Sequence, residues 1–159
     1  MKTLAKPLLK LTAAELMSDP VVMIPEEMSL RKAAHLLILN RISGAPVVDP
    51  WGACIGVLSA TDFIRWADGA LTAALLREPV TETYTQSWMV EPDCVPEYPV
   101  RKYMTTDPVT VGPDTTIVEL ARMMLDAHIH RVIVVNDEGH PVGIVTATDV
   151  LAALAYAGR

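Results

Sequence analysis

Two short motifs hold the residues best suited to chemistry. Ser59 and Asp62 stand three apart in Gly56-Val57-Leu58-Ser59-Ala60-Thr61-Asp62, and Thr146 and Asp149 stand three apart in Gly143-Ile144-Val145-Thr146-Ala147-Thr148-Asp149. Each motif follows an apolar run and precedes a helical pattern, so each falls at a strand-to-helix junction. A carboxylate in the first turn of a helix can accept from two vicinal hydroxyls, as a ribose offers. The hydroxyl residue on the same edge can contact a ribose or an α-phosphate, and the helix amides and dipole favour an anion there. Ser or Thr with Asp is also a good helix cap, which accounts for a single copy equally well. Retention of the pattern in both copies favours binding.

Other chemistry finds less support. His128 and His130 face one side of a strand, yet no carboxylate or cysteine completes a metal set by spacing. Cys54 and Cys94 have no nearby histidine, so a catalytic thiol is not expected. There is no Gly-rich phosphate loop, paired-carboxylate site or triad. The chain is therefore expected not to be an enzyme.

The elements that position the two motifs form a repeat. Residues 45–64 (APVVDPWGACIGVLSATDFI) align without a gap to residues 132–151 (VIVVNDEGHPVGIVTATDVL), at an offset of 87 residues from Asp62 to Asp149. Upstream, SDPVVMIPEEMSL answers TDPVTVGPDTTI with a one-residue slip. Val21 to Met23 and Val109 to Val111 read as short strands, each led by a proline that cannot continue a helix. Ser29 and Thr116, with Thr115 as an alternative, are N-cap candidates. Leu30, Ala33, Ala34, Leu37 and Ile38 then recur at helical spacing, as do Ile117, Leu120, Ala121, Met124 and Leu125. The turns Asp49-Pro50-Trp51-Gly52 and Asn136-Asp137-Glu138-Gly139 each split an apolar pair into a hairpin. Closing helices run from Thr61 to Ala67 and from Thr148 to Tyr156.

Each copy is thus β-α-β-β-α, in a mixed α/β (α+β) domain. One unit would leave an apolar sheet face bare, so the two are expected to pack face to face and share a core. The boundaries expected are residues 12–67 for the first repeat, 68–99 for a linker and 100–156 for the second. In the linker, residues 70–78 extend a helix, Ser87 to Val90 suggest a short strand, and Tyr84 and Trp88 can pack it down.

The chain has 159 residues, 51% of them apolar, which is enough for a substantial core. A net charge of −6 disfavours nucleic acid. Two cysteines without a disulfide pattern suit a reduced, cytoplasmic setting, and no apolar run has signal-peptide or membrane-spanning length.

These residues resemble a tandem pair of cystathionine-β-synthase (CBS) domains, a Bateman module. The matching stretches are Met17-Ser18-Asp19-Pro20, Pro46-Val47-Val48-Asp49 and the Gly56 motif in the first copy. In the second they are Met104-Thr105-Thr106-Asp107-Pro108, His130-Arg131-Val132-Ile133-Val134-Val135 and the Gly143 motif. The resemblance spans residues 12–155 apart from the linker. It implies a regulatory sensor that binds AMP, ADP, ATP, S-adenosylmethionine or a related adenosyl ligand in clefts between the repeats. On the same resemblance no cofactor is expected to be required, and two such pairs are expected to associate as a disc-like homodimer that acts on a partner. It also implies that His130 and Arg131 reach ligand phosphates, a role that suits the planar fork of arginine. Arg131 in a surface salt bridge is the alternative. Ser43 and Gly44 take those places in the first copy, so the clefts should differ, and Ser43, Gly44 and Ala45 can leave room for an adenine ring. Val57 and Ile144 are the expected apolar contacts to it. Val21, Val22, Val109 and Thr110 are further candidates, with Arg41 and Lys102 as phosphate partners. The cleft around Asp149 is expected to bind first, because His130 and Arg131 belong to its repeat. A ligand-free interaction or dimerisation module is the alternative function.

Overall fold

The computed structural model describes residues 7–77 and 97–157. The first half runs α1 (Ala13–Leu16), β1 (Ile24–Pro25), α2 (Leu30–Leu39), β2 (Gly44–Val48), β3 (Cys54–Ser59) and α3 (Ala60–Arg77). The second runs β4 (Thr105–Thr106), β5 (Thr110–Val111), α4 (Ile117–Asp126), β6 (Arg131–Val135), β7 (Pro141–Thr146) and α5 (Ala147–Tyr156). The expected β-α-β-β-α order therefore appears twice, in an α+β molecule with pseudo-twofold symmetry. Tyr84, Trp88, Cys94 and the strand expected at Ser87 to Val90 lie outside the described residues.

Local chemistry starts and turns each element. Ser29 Oγ accepts from the Lys32 amide at 3.3 Å, and Thr116 forms a capping box with Glu119. The Thr116 amide and hydroxyl both donate to the Glu119 carboxylate, which holds it below the usual glutamate range. Asp49 Oδ1 accepts from the amides of Trp51 and Ala53, and Asn136 Oδ1 accepts from Glu138 and His140 in the same way. Both hairpins are antiparallel, β2 with β3 and β6 with β7, and each has a bulge at the turn end.

The helical stripe turns inward only in part. Leu30, Ala33 and Leu37 are buried, as are Ile117, Leu120 and Met124. Removing each large side chain from water contributes roughly 1.5–3 kcal/mol. Ile38 and Leu125, which share the same apolar period, are each 73% exposed. The first strand also differs from expectation. Val21 to Met23 are not a strand, and β1 forms at Ile24–Pro25, where Ile24 and Pro25 pair in parallel with Val47 and Val48. Burial decides the position, since Ile24 is fully buried and Met23 is 43% exposed.

Each repeat is completed by the segment that precedes the other. Thr105 and Thr106 pair antiparallel with Val57 and Gly56, which makes the first sheet four-stranded. Ser18 exchanges hydrogen bonds with Ile144 on the edge of the second. The Ala13 amide donates to the Thr115 carbonyl, and Ile117 donates to Leu11. Reciprocally, Leu30 donates to Tyr98 and Val100 donates to Met28. Two buried clusters result in place of one common core. Val100, Tyr103 and Met104 pack into the first, with Leu30 and Leu58. Ala13, Leu16 and Met17 pack into the second, with Leu120 and Val145. The equivalent glycines Gly56 and Gly143 admit this exchange. A Cβ at Gly56 would stand 2.6 Å from Met104 Sδ, and one at Gly143 would collide with Met17.

Candidate functional site

Among the described residues, two clefts related by the repeat lie between its halves, apart from a third pocket where Asp62 and Arg65 meet Lys102 and Tyr103. The larger, about 500 Å³, takes Val57, Ser59, Ala60 and Thr61 from the β3–α3 junction. Its second wall is Thr105, Asp107, Pro108 and Val109, and its third is Ala127 to Arg131, with Ile133 and Ser43. The smaller, about 270 Å³, takes Ile144 and Thr146, then Ser18, Pro20, Val21 and Val22, then Arg41 to Gly44 and Arg131. The same three elements build both clefts, with the roles of the repeats exchanged.

This arrangement regroups the expected residues. Ser59, Val57, His130, Arg131 and Ser43 line the larger cleft, and Thr146, Ile144, Ser43, Gly44 and Arg131 line the smaller. His130 thus shares a cleft with Ser59, not with Thr146, while Arg131 lines both, so ranking the Asp149 cleft first loses its support from His130. Each cleft joins the helix start of one repeat to the strand start of the other. Ala45 is 1% exposed, paired with Leu58, and lines neither cleft. The room beside Gly44 is already taken, because a Cβ there would collide with the Arg131 guanidinium. Arg131 Nη2 donates to Ser43 Oγ at 2.6 Å, a contact between repeats rather than a salt bridge. Burial pulls this guanidinium down from its usual range, yet arginine stays charged at neutral pH.

Asp62 and Asp149 line neither cleft and act as caps. Asp62 is 3% exposed. Its Oδ2 accepts from the Ser59 amide at 2.7 Å and the Ser59 hydroxyl at 3.2 Å. Its Oδ1 accepts from Arg65 and from the Thr105 hydroxyl of the other repeat, both at 3.0 Å. Four donors use the acceptor capacity of a carboxylate. Asp149 is half-buried and forms a reciprocal capping box with Thr146, both bonds to its Oδ2 at 2.7 Å. No hydrogen bond reaches its Oδ1 among the described residues.

Two cleft residues arise from helix endings. The Ile42 amide donates to Leu37 and Arg41 to Ile38, while Ile129 donates to Met124 and His128 to Leu125. These are Schellman closures of α2 and α4, whose turning residue takes a left-handed backbone and is usually glycine. Here it is Arg41, with φ 53°, and His128, with φ 52°. Each projects a basic or titratable side chain at its own cleft despite a backbone cost of about 1 kcal/mol. The signal in the sequence was the end of each apolar helical period, at Ile38 and Leu125, three residues before Arg41 and His128. Thr61, Asp107 and Pro108 also line the larger cleft; they fall in the repeated motifs but were not singled out as site residues, and Ala127 and Ile129 beside them carried no sequence signal. Lys102 lies over the Tyr98 ring at 4.8 Å and, like Thr110, is in neither cleft. Among the described residues no three His, Cys, Asp or Glu side chains form a metal-binding group. Burial raises the Cys54 thiol above its ordinary range, which disfavours the nucleophilic thiolate. No described helix is long and apolar enough to cross a membrane.

The CBS domain family model matches residues 13–69 and 100–156. The chain belongs to the CBS domain family. This CBS pair is 30% identical over 150 residues to the uncharacterized protein MJ1426 of Methanocaldococcus jannaschii, covering 88% of this chain and 89% of that protein. Two other relatives, inosine-5'-monophosphate dehydrogenases of Halobacterium salinarum and Korarchaeum cryptofilum, are much longer, and the pair spans 22% of each. Among solved structures, CBSX2 in complex with AMP matches with a TM-score of 0.71 and 22% identity, over 93% of this chain and 98% of that one. The CBS domain pair of protein MJ0100, in complex with 5'-methylthioadenosine and S-adenosyl-L-methionine, matches with a TM-score of 0.69 and 23% identity, over 91% of this chain and 96% of that one. At these identities the two structures establish the fold.

Proposed function

We propose that this CBS pair is a non-catalytic regulatory module that binds an adenosine-type ligand, with the larger cleft as the principal site. The observation that carries this is the make-up of that cleft. Val57, Pro108, Val109, Ile129 and Ile133 give apolar walls for a base, and its volume of about 500 Å³ suits a small ligand. Ser59, Thr61, His128, His130 and Arg131 stand at the same cavity as the first turn of the 18-residue helix α3, which favours an anion. CBS pairs of the same fold hold AMP or S-adenosylmethionine, which supports the ligand class. A ligand that touches both repeats would favour one of their relative arrangements by its differential affinity, and a partner protein would sense the shift. A cytoplasmic homodimer belongs to the same proposal. Ile64 on α3 and Leu151 on α5 support it, being equivalent positions exposed by 68% and 63%.

Calorimetry with AMP, ADP, ATP and S-adenosylmethionine tests the reading, and sedimentation velocity on the same sample tests the dimer. Binding is expected with at least one ligand at micromolar to millimolar concentration. No heat at millimolar ligand, with the protein folded, would leave the interaction-module alternative, and a monomer at all concentrations would reject the dimer. A second expectation separates function from fold. His128→Gly relieves a left-handed residue, so stability is expected within about 1 kcal/mol of the parent, while affinity for the phosphate-bearing ligands falls. Urea melts and calorimetry check the two effects, and unchanged AMP affinity would remove His128 from the site.

A further inference from the structure

One guanidinium stands in the partition between the two clefts. Arg131 and Ser43 line both of them, and their side chains are joined by a 2.6 Å hydrogen bond. Repeat symmetry would put a second arginine opposite Arg131, but that position is Gly44. A Cβ there would collide with the guanidinium and stand 2.9 Å from the Leu58 carbonyl oxygen, so any side chain at this position would displace Arg131. Among the described residues no carboxylate pairs with Arg131, so a half-buried cation has a single hydroxyl partner and donors to spare. Its fork is planar and can present a bidentate face to one anion at a time.

Resting on the adenosine-type ligand reading above, we infer that Arg131 is a shared anion clamp that makes the two clefts antagonistic toward phosphate-bearing ligands. An anion in the larger cleft draws the guanidinium to that side and leaves the smaller cleft with Arg41 alone. An anion in the smaller cleft withdraws it from His128 and His130. The coupling is reciprocal, because each ligand must change the affinity of the other by the same factor. A ligand without an anionic group makes no claim on the guanidinium and should fill the clefts independently.

The test is calorimetry with AMP and with adenosine on three backgrounds, each with and without Arg131→Gln. These are the parent, Ala127→Trp to fill the larger cleft and Val22→Trp to fill the smaller. Circular dichroism checks folding, with Ala60→Trp and Val21→Trp as substitutes if a plug unfolds the protein. For AMP, the product of the two stepwise association constants of the parent is expected about tenfold or more below the product of the two single-cleft constants. Adenosine should give equal products. Placing Arg131→Gln in all three backgrounds should bring the AMP products to within about threefold of each other. One AMP bound to the parent, with one also bound to each plugged variant, is the extreme form of the expected result. Equal AMP products in the parent overturn the antagonism while leaving the proposed function standing. So does AMP binding to only one of the plugged variants. Coupling that survives Arg131→Gln, or that appears with adenosine, assigns it elsewhere. No AMP binding by any form removes the ligand reading and this inference together.

Discussion

Val100→Asp is expected to abolish the folded state. Val100 belongs to the second repeat by sequence, yet it is fully buried in the first cluster beside Leu30 and Leu58. Its amide donates to Met28, so the backbone holds the side chain inside. A carboxylate there would have no partner among the apolar residues of that cluster, and an uncompensated buried charge costs several kcal/mol. That approaches the whole stability of a domain of this size, about 5–15 kcal/mol. The far-ultraviolet spectrum should lose its cooperative thermal transition. Val100→Ala, which only deletes methyl groups, should cost about 2 kcal/mol. Leu125→Asp, at a position 73% exposed, should stay within about 0.5 kcal/mol of the parent. A Val100→Asp protein that melts like the parent would show that the exchanged segment is not needed by the first repeat.

Asp62→Ala is expected to destabilise the fold far more than Asp149→Ala, although the two aspartates are equivalent in sequence. Removing the Asp62 carboxylate strands the Ser59 amide and hydroxyl, frees Arg65 and cuts the bond from Thr105. The Thr105 bond joins the repeats, and the site is buried, so water cannot readily replace the lost acceptor. A loss of roughly 2–4 kcal/mol follows. Asp149 is half-buried and serves only its own helix start, so its removal should cost about 1 kcal/mol. Urea denaturation with unchanged m-values gives both numbers. Equal losses would show that the Thr105 bond contributes nothing.

These contrasts separate what a single chain segment encodes from what packing decides. The 87-residue repeat, the caps at Ser29 and Thr116, the Asp49 and Asn136 turns and the buried positions Leu30, Ala33 and Leu37 were all legible in the sequence. Each depends on hydrogen bonds or periodicity within a few residues, and such local preferences are written in residue type. The strand at Ile24–Pro25 was not legible, because its pairing with Val47 and Val48 chose it over the more β-like Val21 to Met23. Those valines went to a cleft wall instead. Ser59 and Thr146 were recognisable as functional candidates, but their partners were not. Repeat order suggested that His130 and Arg131 would serve Thr146 and Asp149. Exchange of the segments around Met17 and Met104 set His130 beside Ser59 and left Arg131 against Ser43, 88 residues away. No local propensity spans that distance. Mutual burial of two incomplete sheets, and the single space beside Gly44, decided it.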